Sequence, residues 1–269
     1  MSDLKINNIT DRLGESGPVI VGVCTVTSTG AFAVPAGDTA HRGGRGRMVM
    51  MGGYGNSPAN SAQTQIQYLT IATTGNTTDF GDMSETRYVP ASCASSTRGI
   101  AAGGDATPVG SYRSSIDYVT IPSQGGASDF GSLSVGNAYP VGLSDSSRGI
   151  IAGGNTPPFT ANSEEFNGSS WSEGDNLLTA RRDLNGAANG LQTSALLYAG
   201  EASPGTTGAT EGYDGTTWST RPSLSTAGSN RSGFNSAGNT AAIAAGPSSS
   251  TEEYTDETSA VGARTLTTS

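Results

Sequence analysis

Carboxylates recur in this sequence at matching places in successive segments: Glu164-Glu165, Glu211 and Glu252-Glu253. Two carboxylates held roughly 5–10 Å apart can hydrolyse a glycosidic bond, one as acid and the other as base or nucleophile. An active site is singular, however, and a residue that returns in every segment reads as structural. The expected role is solvation of strand edges or loops, with arginine partners in a neighbouring repeat. Exposed pairs of that kind contribute about 0–1 kcal/mol each. His41 is the only histidine, and it stands in His41-Arg42-Gly43-Gly44 beside no evident nucleophile, so a Ser-His-Asp site has no support. One histidine with two scattered cysteines, Cys24 and Cys93, supplies too few ligands for zinc or copper. No run has the Asp-x-Asp-x-Asp-Gly spacing of a calcium loop. Catalytic, cofactor-binding and metal-binding residues are accordingly expected to be none.

Two further motifs have plainer readings. Arg42-Gly43-Gly44-Arg45-Gly46-Arg47 is basic, but it is short and lacks interleaved aromatics, so it reads as a hinge whose arginines pin carbonyls. Gly52-Gly53-Tyr54-Gly55 has no following Lys-Ser/Thr, which argues against a phosphate cradle.

The elements that carry these residues follow from composition and repetition. The chain has 269 residues, 39 of them glycine, and only 14% are charged, against roughly 25% in an average soluble domain. Serine and threonine make up about a quarter of it, and with so much glycine long helices are disfavoured. No apolar run approaches the roughly 20 residues of a membrane helix, so no membrane insertion is expected. A formal charge of −9 argues against nucleic acid as partner. Lys5 is the only lysine, and the many arginines suit planar, multi-donor pinning of carbonyls and carboxylates. Cys24 and Cys93 lie in unlike contexts and read as two free thiols, although a disulfide between them stays open. The first residues lack the apolar core of a signal peptide, which predicts a protein made in, and not exported from, a cytoplasm.

A short apolar strand ending in two small residues occurs five times: Arg47–Gly53, Arg98–Gly104, Arg148–Gly154, Ala195–Gly200 and Ala241–Gly246. The second small residues are spaced by 51, 50, 46 and 46 positions. An alternating strand with a central aromatic follows each, around Tyr68, Tyr118, Phe166, Tyr213 and Tyr254. Alternation with period two buries one face and wets the other. A second aromatic comes next in four copies: Phe80, Phe130, Trp171 and Trp218. Asn167-Gly168 and Asp214-Gly215 join these strands in the third and fourth copies as tight hairpins. Arg87-Tyr88, Arg181-Arg182, Arg231 and Arg264 then lead into the next strand. Each repeat thus predicts four short antiparallel strands, with glycine and alanine on crowded inner strands and aromatics in the wider gaps. The fold class is all-β, a β-propeller of five four-stranded blades; a solenoid would repeat at shorter intervals.

The pattern Gly-Gly, Tyr213-Asp214-Gly215-Thr216-Thr217-Trp218, then Arg, resembles the kelch motif. Ile116–Ile121, Asp129-Phe130-Gly131 and Ser147-Arg148-Gly149-Ile150 are similar to repeats in structural and tail-fibre proteins of marine cyanophages. Leu4–Ile9 and Gly22–Phe32 are similar to the opening module of those proteins. The last two repeats lack a true Gly-Gly, and the fifth has neither Trp nor Asp-Phe-Gly. The resemblance implies a virion structural protein without enzymatic activity, on a tail fibre, baseplate or capsid surface. A carbohydrate-active propeller enzyme is the alternative.

Residues 1–42 stand outside the repeat, with Val19–Val26 and Ala31–Val34 as a hairpin. Two strands alone are marginal in water, so this arm is expected to attach to other virion proteins or to copies of the same chain, a trimer by analogy. Residues 43–269 form the propeller. Its variable loops, Tyr54–Gln63, Asp105–Ser114, Asn155–Asn162 and Glu201–Thr210, all follow the small-residue strand and are the expected contact surface. Tyr54, Asn56, Asn60, Tyr112, Arg113, Asn155, Phe159 and Asn162 are the candidate contacts, suited to a host-surface glycan. The tail Ala263–Ser269 is expected to complete the first blade and so close the ring.

Overall fold

The computed structural model describes residues 47–56, 59–70, 75–95, 97–145, 147–188, 194–229, 232–235, 241–246, 251–255 and 264–265. The chain divides into the units Met1–Ala40 and His41–Ser269, and every described residue belongs to the second. The expected arm with its hairpin, Cys24, His41 and the glycine-arginine hinge up to Gly46 lie outside the described residues.

No helix occurs among the described residues, which form five antiparallel sheets of four strands each. The first sheet holds β1 (Arg47–Met51), β2 (Tyr54–Asn56), β3 (Ala59–Thr70) and β4 (Thr78–Arg87). The second holds β5 (Ala91–Ala94), β6 (Arg98–Ala102), β7 (Ser115–Thr120) and β8 (Ser128–Ser132). The third holds β9 (Val141–Ser144), β10 (Gly149–Ala152), β11 (Ser163–Phe166) and β12 (Trp171–Glu173). The fourth holds β13 (Asn185–Ala188), β14 (Ala195–Tyr198), β15 (Thr210–Tyr213) and β16 (Trp218–Arg221). The fifth holds β17 (Ser232–Asn235), β18 (Ala241–Ala245), β19 (Thr251–Thr255) and β20 (Arg264–Thr265). The second to fifth sheets are meanders in chain order, with the small-residue strand second and the aromatic strand third, as the repeat predicts.

Short strands with one apolar face cannot bury it alone, and each sheet here buries its face against the next. Ile66, Phe80 and Met83 of the first sheet pack with Ala101 and Val119 of the second. Ala102, Ile116 and Leu133 meet Ile151 of the third. Leu143 and Ile150 of the third meet Leu197, Tyr213 and Trp218 of the fourth, and Leu196 and Tyr198 meet Ala242 and Tyr254 of the fifth. The first strands β5, β9, β13 and β17 touch one another in that order. Crowding there demands small residues: a Cβ on Gly142 of β9 would stand 2.6 Å from the Ser92 carbonyl oxygen of β5. Aromatic side chains also meet across the gaps, where Phe130 of the second sheet lies 4.8 Å from Phe166 of the third.

Two expectations are corrected. The segment Tyr54–Gln63 is mainly strand, because β2 pairs with the start of β3. Buried Ala62 and Ile66 share one parity of β3, so the alternation that defines the aromatic strand simply runs farther back. The tail does not complete the first sheet: Thr265 pairs with Glu252 and Arg264 with Glu253, which places β20 in the fifth. β19 is only a short connection away, and a short closure costs less conformational entropy than a return across four sheets. The ring closure assigned to this tail is therefore overturned.

The crowding of the first strands gives a direct test. Gly142→Val is expected to lower unfolding free energy by about 1–3 kcal/mol through overpacking. Gly205→Ala, where an added Cβ meets nothing within 4 Å, is expected to leave the urea midpoint unchanged.

Candidate functional site

Between one sheet and the next runs a short connector: Arg87-Tyr88-Val89-Pro90, Asn137-Ala138-Tyr139-Pro140 and Arg181-Arg182-Asp183-Leu184. The first residue serves the sheet being left. Its carbonyl accepts the N–H of Gly53, Gly104 or Gly154 at 3.0, 2.7 and 2.8 Å. Gly200 does the same to Gly228 at 2.8 Å. The second residue serves the sheet being entered, in a two-way backbone bridge: Tyr88 with Asp105, Ala138 with Asn155, Arg182 with Glu201. The third residue is left-handed in each, with φ of 49° at Val89, 60° at Tyr139 and 50° at Asp183. Such backbone is strained for a β-branched residue. It lets the connectors bond to one another, Tyr139 N–H to Val89 at 3.1 Å and Asp183 N–H to Tyr139 at 3.3 Å.

Side chains lock the same seams. Arg87, fully buried, donates to the carbonyls of Gly103 (3.1 Å) and Ser115 (2.7 Å) and pairs with Asp117 at 3.1 Å. Arg181 donates to the Ala209 carbonyl at 2.7 Å and pairs with Glu211 at 3.1 Å. Asn137 stands in the equivalent place and reaches only the Gly153 carbonyl, at 2.7 Å. From the other side, the carboxylates of Asp117, Glu164, Glu211 and Glu252 accept the backbone N–H of Ser84, Ser134, Leu178 and Ser225 at 2.9, 2.8, 2.7 and 2.6 Å. None of the four is more than 7% exposed. The expectation that these glutamates are solvated is thus wrong, because each caps an N–H of the preceding sheet's return segment. The arginine partner expected from a neighbouring unit is present for Glu211. Asp117 plays the same part and was not singled out; its place beside Tyr118, matching Glu164 beside Glu165-Phe166, was the available signal.

Burial pulls the Arg87 and Arg181 guanidinium pKa values down, against the carboxylates that hold them up. Burial also raises the Glu164 carboxyl; the Ser134 hydrogen bonds oppose this and Glu173 adds to it. Glu165, by contrast, accepts a hydrogen bond from the Tyr213 hydroxyl.

The segments after the small residues share one root. Gln63, Arg113, Thr160 and Thr207 donate their N–H to the carbonyls of Gly53, Gly104, Gly154 and Gly200 at 3.0, 2.8, 3.0 and 2.9 Å. Above that root the expected contact residues divide. Tyr54 is 52% exposed and stacks edge-on against Tyr88 at 5.0 Å. Tyr112 accepts a hydrogen bond from the Asn155 side chain at 3.0 Å, so those two come together. Phe159 covers one face of the Arg182 guanidinium and Tyr139 lies against it as well, at 5.1 and 5.2 Å, while Glu201 pairs with Arg182 at 2.9 Å. Arg113 is engaged by Glu85 at 3.2 Å. Asn162 sits at the root, where its carbonyl accepts the Gly153 N–H at 2.9 Å. The side chains of Asn56 and Asn60 lie outside the described residues. Asp105 and Glu201 open two of the loops expected on this face, while Tyr88, Tyr139 and Arg182 join it from the connectors, which sequence alone did not place here. Burial raises the Tyr88 phenol pKa well above its usual value, helped by the hydrogen bond to Asp105. Burial likewise raises the Tyr139 phenol and the Asp183 carboxyl.

Among the described residues, no cluster of three or more His, Cys, Asp or Glu could hold a metal ion, and no helix is long and apolar enough to cross a membrane. Cys93 is a free thiol whose pKa burial pushes up to about 11. No protein-family model matches the chain, and no curated protein matches it.

The seams yield two opposite outcomes. Glu211→Gln leaves the buried Arg181 guanidinium without its carboxylate, and a loss of about 3–5 kcal/mol is expected in urea unfolding. Asp117→Asn leaves Arg87 only the longer pair with Glu85 at 3.9 Å and is expected to cost less. Among the described residues no arginine pairs with Glu164, and its folded pKa lies above the ordinary 4.5. Its contribution is therefore fully present below that value and is lost as pH rises through the folded value. Glu164→Gln keeps an acceptor for Ser134, and is expected to unfold at neutral pH no more readily than the parent and to flatten the pH dependence across that window.

Proposed function

We propose that this chain is a phage virion structural protein: a kelch-like β-propeller that acts as a rigid display platform on a tail fibre, baseplate or capsid surface. The observation that carries the reading is the recurrence of one seam. The same connector bridge and the same inward carboxylate return between successive sheets, and the first strands follow one another as blades do around an axis. Repetition of this kind spends the acidic residues on holding sheets together and leaves segments of unequal length on a common root. A frame that is constant with loops that vary suits contact with a partner. The exposed Tyr54, and the Tyr112–Asn155 and Phe159–Arg182 pairs, offer stacking and hydrogen bonding to neutral polar surfaces such as a host glycan. Residues 1–42 are proposed as the attachment arm to other virion proteins or to two further copies of the chain.

Deleting residues 1–42 is expected to leave a folded protein with an unchanged melting curve that no longer enters particles, as read by immunogold labelling and particle mass spectrometry. Normal incorporation of the truncated chain would place the anchor elsewhere. The full chain incubated with host-surface polysaccharide is expected to bind without releasing shorter saccharides. Turnover that a single carboxylate substitution abolishes would replace the display reading with a glycosidase.

A further inference from the structure

At the end of the sheets opposite the connectors, a cleft of about 340 Å³ opens along the seam between the second and third sheets. Its origin lies in a mismatch between successive repeats. Arg47, at the start of β1, lies 4.9 Å over the Tyr68 ring and donates from Nη1 to the carbonyls of Ile121 and Pro122 at 2.9 and 3.2 Å. Those carbonyls belong to the long connection between β7 and β8. Arg98, at the start of β6, repeats the stacking, 4.9 Å over Tyr118 and 5.7 Å from Phe130. The next sheet, however, joins β11 to β12 through the tight Asn167-Gly168 turn, which is too short to reach back. Arg98 is exposed, and no described residue accepts a hydrogen bond from its guanidinium. Its plane is fixed by the aromatic rings while its N–H fork is open.

We infer that this cleft is a binding site for a carboxylate-bearing saccharide, whose oxygens take the place that two backbone carbonyls hold around Arg47. A guanidinium with its face stacked and its edge free binds a carboxylate in two parallel hydrogen bonds. The half-buried rings of Phe130 and Phe166, 4.8 Å apart, supply the apolar wall on which the C–H face of a sugar rests. Serine and threonine hydroxyls and Arg148 complete the lining, and the volume falls at the small end of the roughly 300–1,000 Å³ of ligand sites. The back wall is fixed across the seam, since the Ser144 hydroxyl donates to the Ala94 carbonyl at 2.9 Å and accepts the Ala94 N–H at 3.0 Å. Of the charged groups in the wall, Arg98 and Arg148 outnumber the single carboxylate, Asp145, and the remaining titratable group is the Cys93 thiol. Asp145 is engaged by the N–H groups of Ser147 and Arg148 at 2.6 and 2.7 Å, and burial keeps the Cys93 thiol neutral. The proposal rests on this seam alone and holds whether or not the chain is a virion component.

Titration calorimetry of the full chain with trigalacturonate, its neutral methyl ester and tetraglutamate tests it. Trigalacturonate alone is expected to bind, and more weakly as salt rises. Arg98→Gln is expected to weaken that binding roughly tenfold or more, with circular dichroism melting unchanged. Thr97→Glu, which adds charge at the rim without touching the stack, is expected to do the same and serves if Arg98→Gln unfolds. Equal binding of the ester would overturn carboxylate recognition, and equal binding of tetraglutamate would overturn the saccharide. No binding, or binding undiminished in both variants, would overturn the site.

Discussion

The backbone at each seam has to satisfy two sheets with one short connector, and the rest of the fold depends on that being possible. Every buried N–H and C=O needs a partner. Here one residue's carbonyl closes the sheet behind while the next residue bridges to the sheet ahead. The geometry forces the small residues that end each second strand. Gly103 has φ +66°, and a Cβ there would lie 2.4 Å from the Asn137 carbonyl oxygen. The fourth repeat holds the same conformation without glycine, with Ala199 at φ 61°. Strain of about 1–3 kcal/mol per such residue persists only where surrounding contacts over-determine it, and the fully buried stretch from Ala195 to Ala199 provides them.

The seams are alike in backbone and unlike in side chain. Arginine, asparagine, arginine and glycine take the leading position in turn, at Arg87, Asn137, Arg181 and Gly228. A guanidinium fork spans the gap to a carboxylate, a carboxamide reaches a single carbonyl, and glycine reaches nothing. The carboxylate opposite is retained throughout because its second duty, capping an N–H from the preceding sheet, does not depend on the arginine.

Much of this was legible because it is local. Period-two alternation around Tyr118, the glycine pairs, and the Asn167-Gly168 and Asp214-Gly215 turns specify strands and hairpins from neighbouring residues. The pinning role of Arg87 and Arg181 was legible from their place ahead of a strand. What escaped depends on partners far along the chain. Glu164 looks like any surface glutamate until Ser134, 30 residues earlier, is brought against it. The tail's position turned on a competition between a near edge and a distant one, which residue types do not reveal. The open fork of Arg98 was invisible for a similar reason: it follows from a turn being short in the next repeat, not from anything at Arg98 itself.

The common root of the segments after the small residues has a consequence for how such a protein can change. One hydrogen bond, from Gln63, Arg113, Thr160 or Thr207 to a glycine carbonyl, seals each segment off from the sheet below it. Lengthening a sealed segment costs little, about 0.6 kcal/mol for each doubling, and the register of the strands beneath is not disturbed. New sequence can therefore be added above a root without moving the frame, but not at each position independently: the first segment is itself paired strand, and the Tyr112–Asn155 hydrogen bond makes the second and third change together.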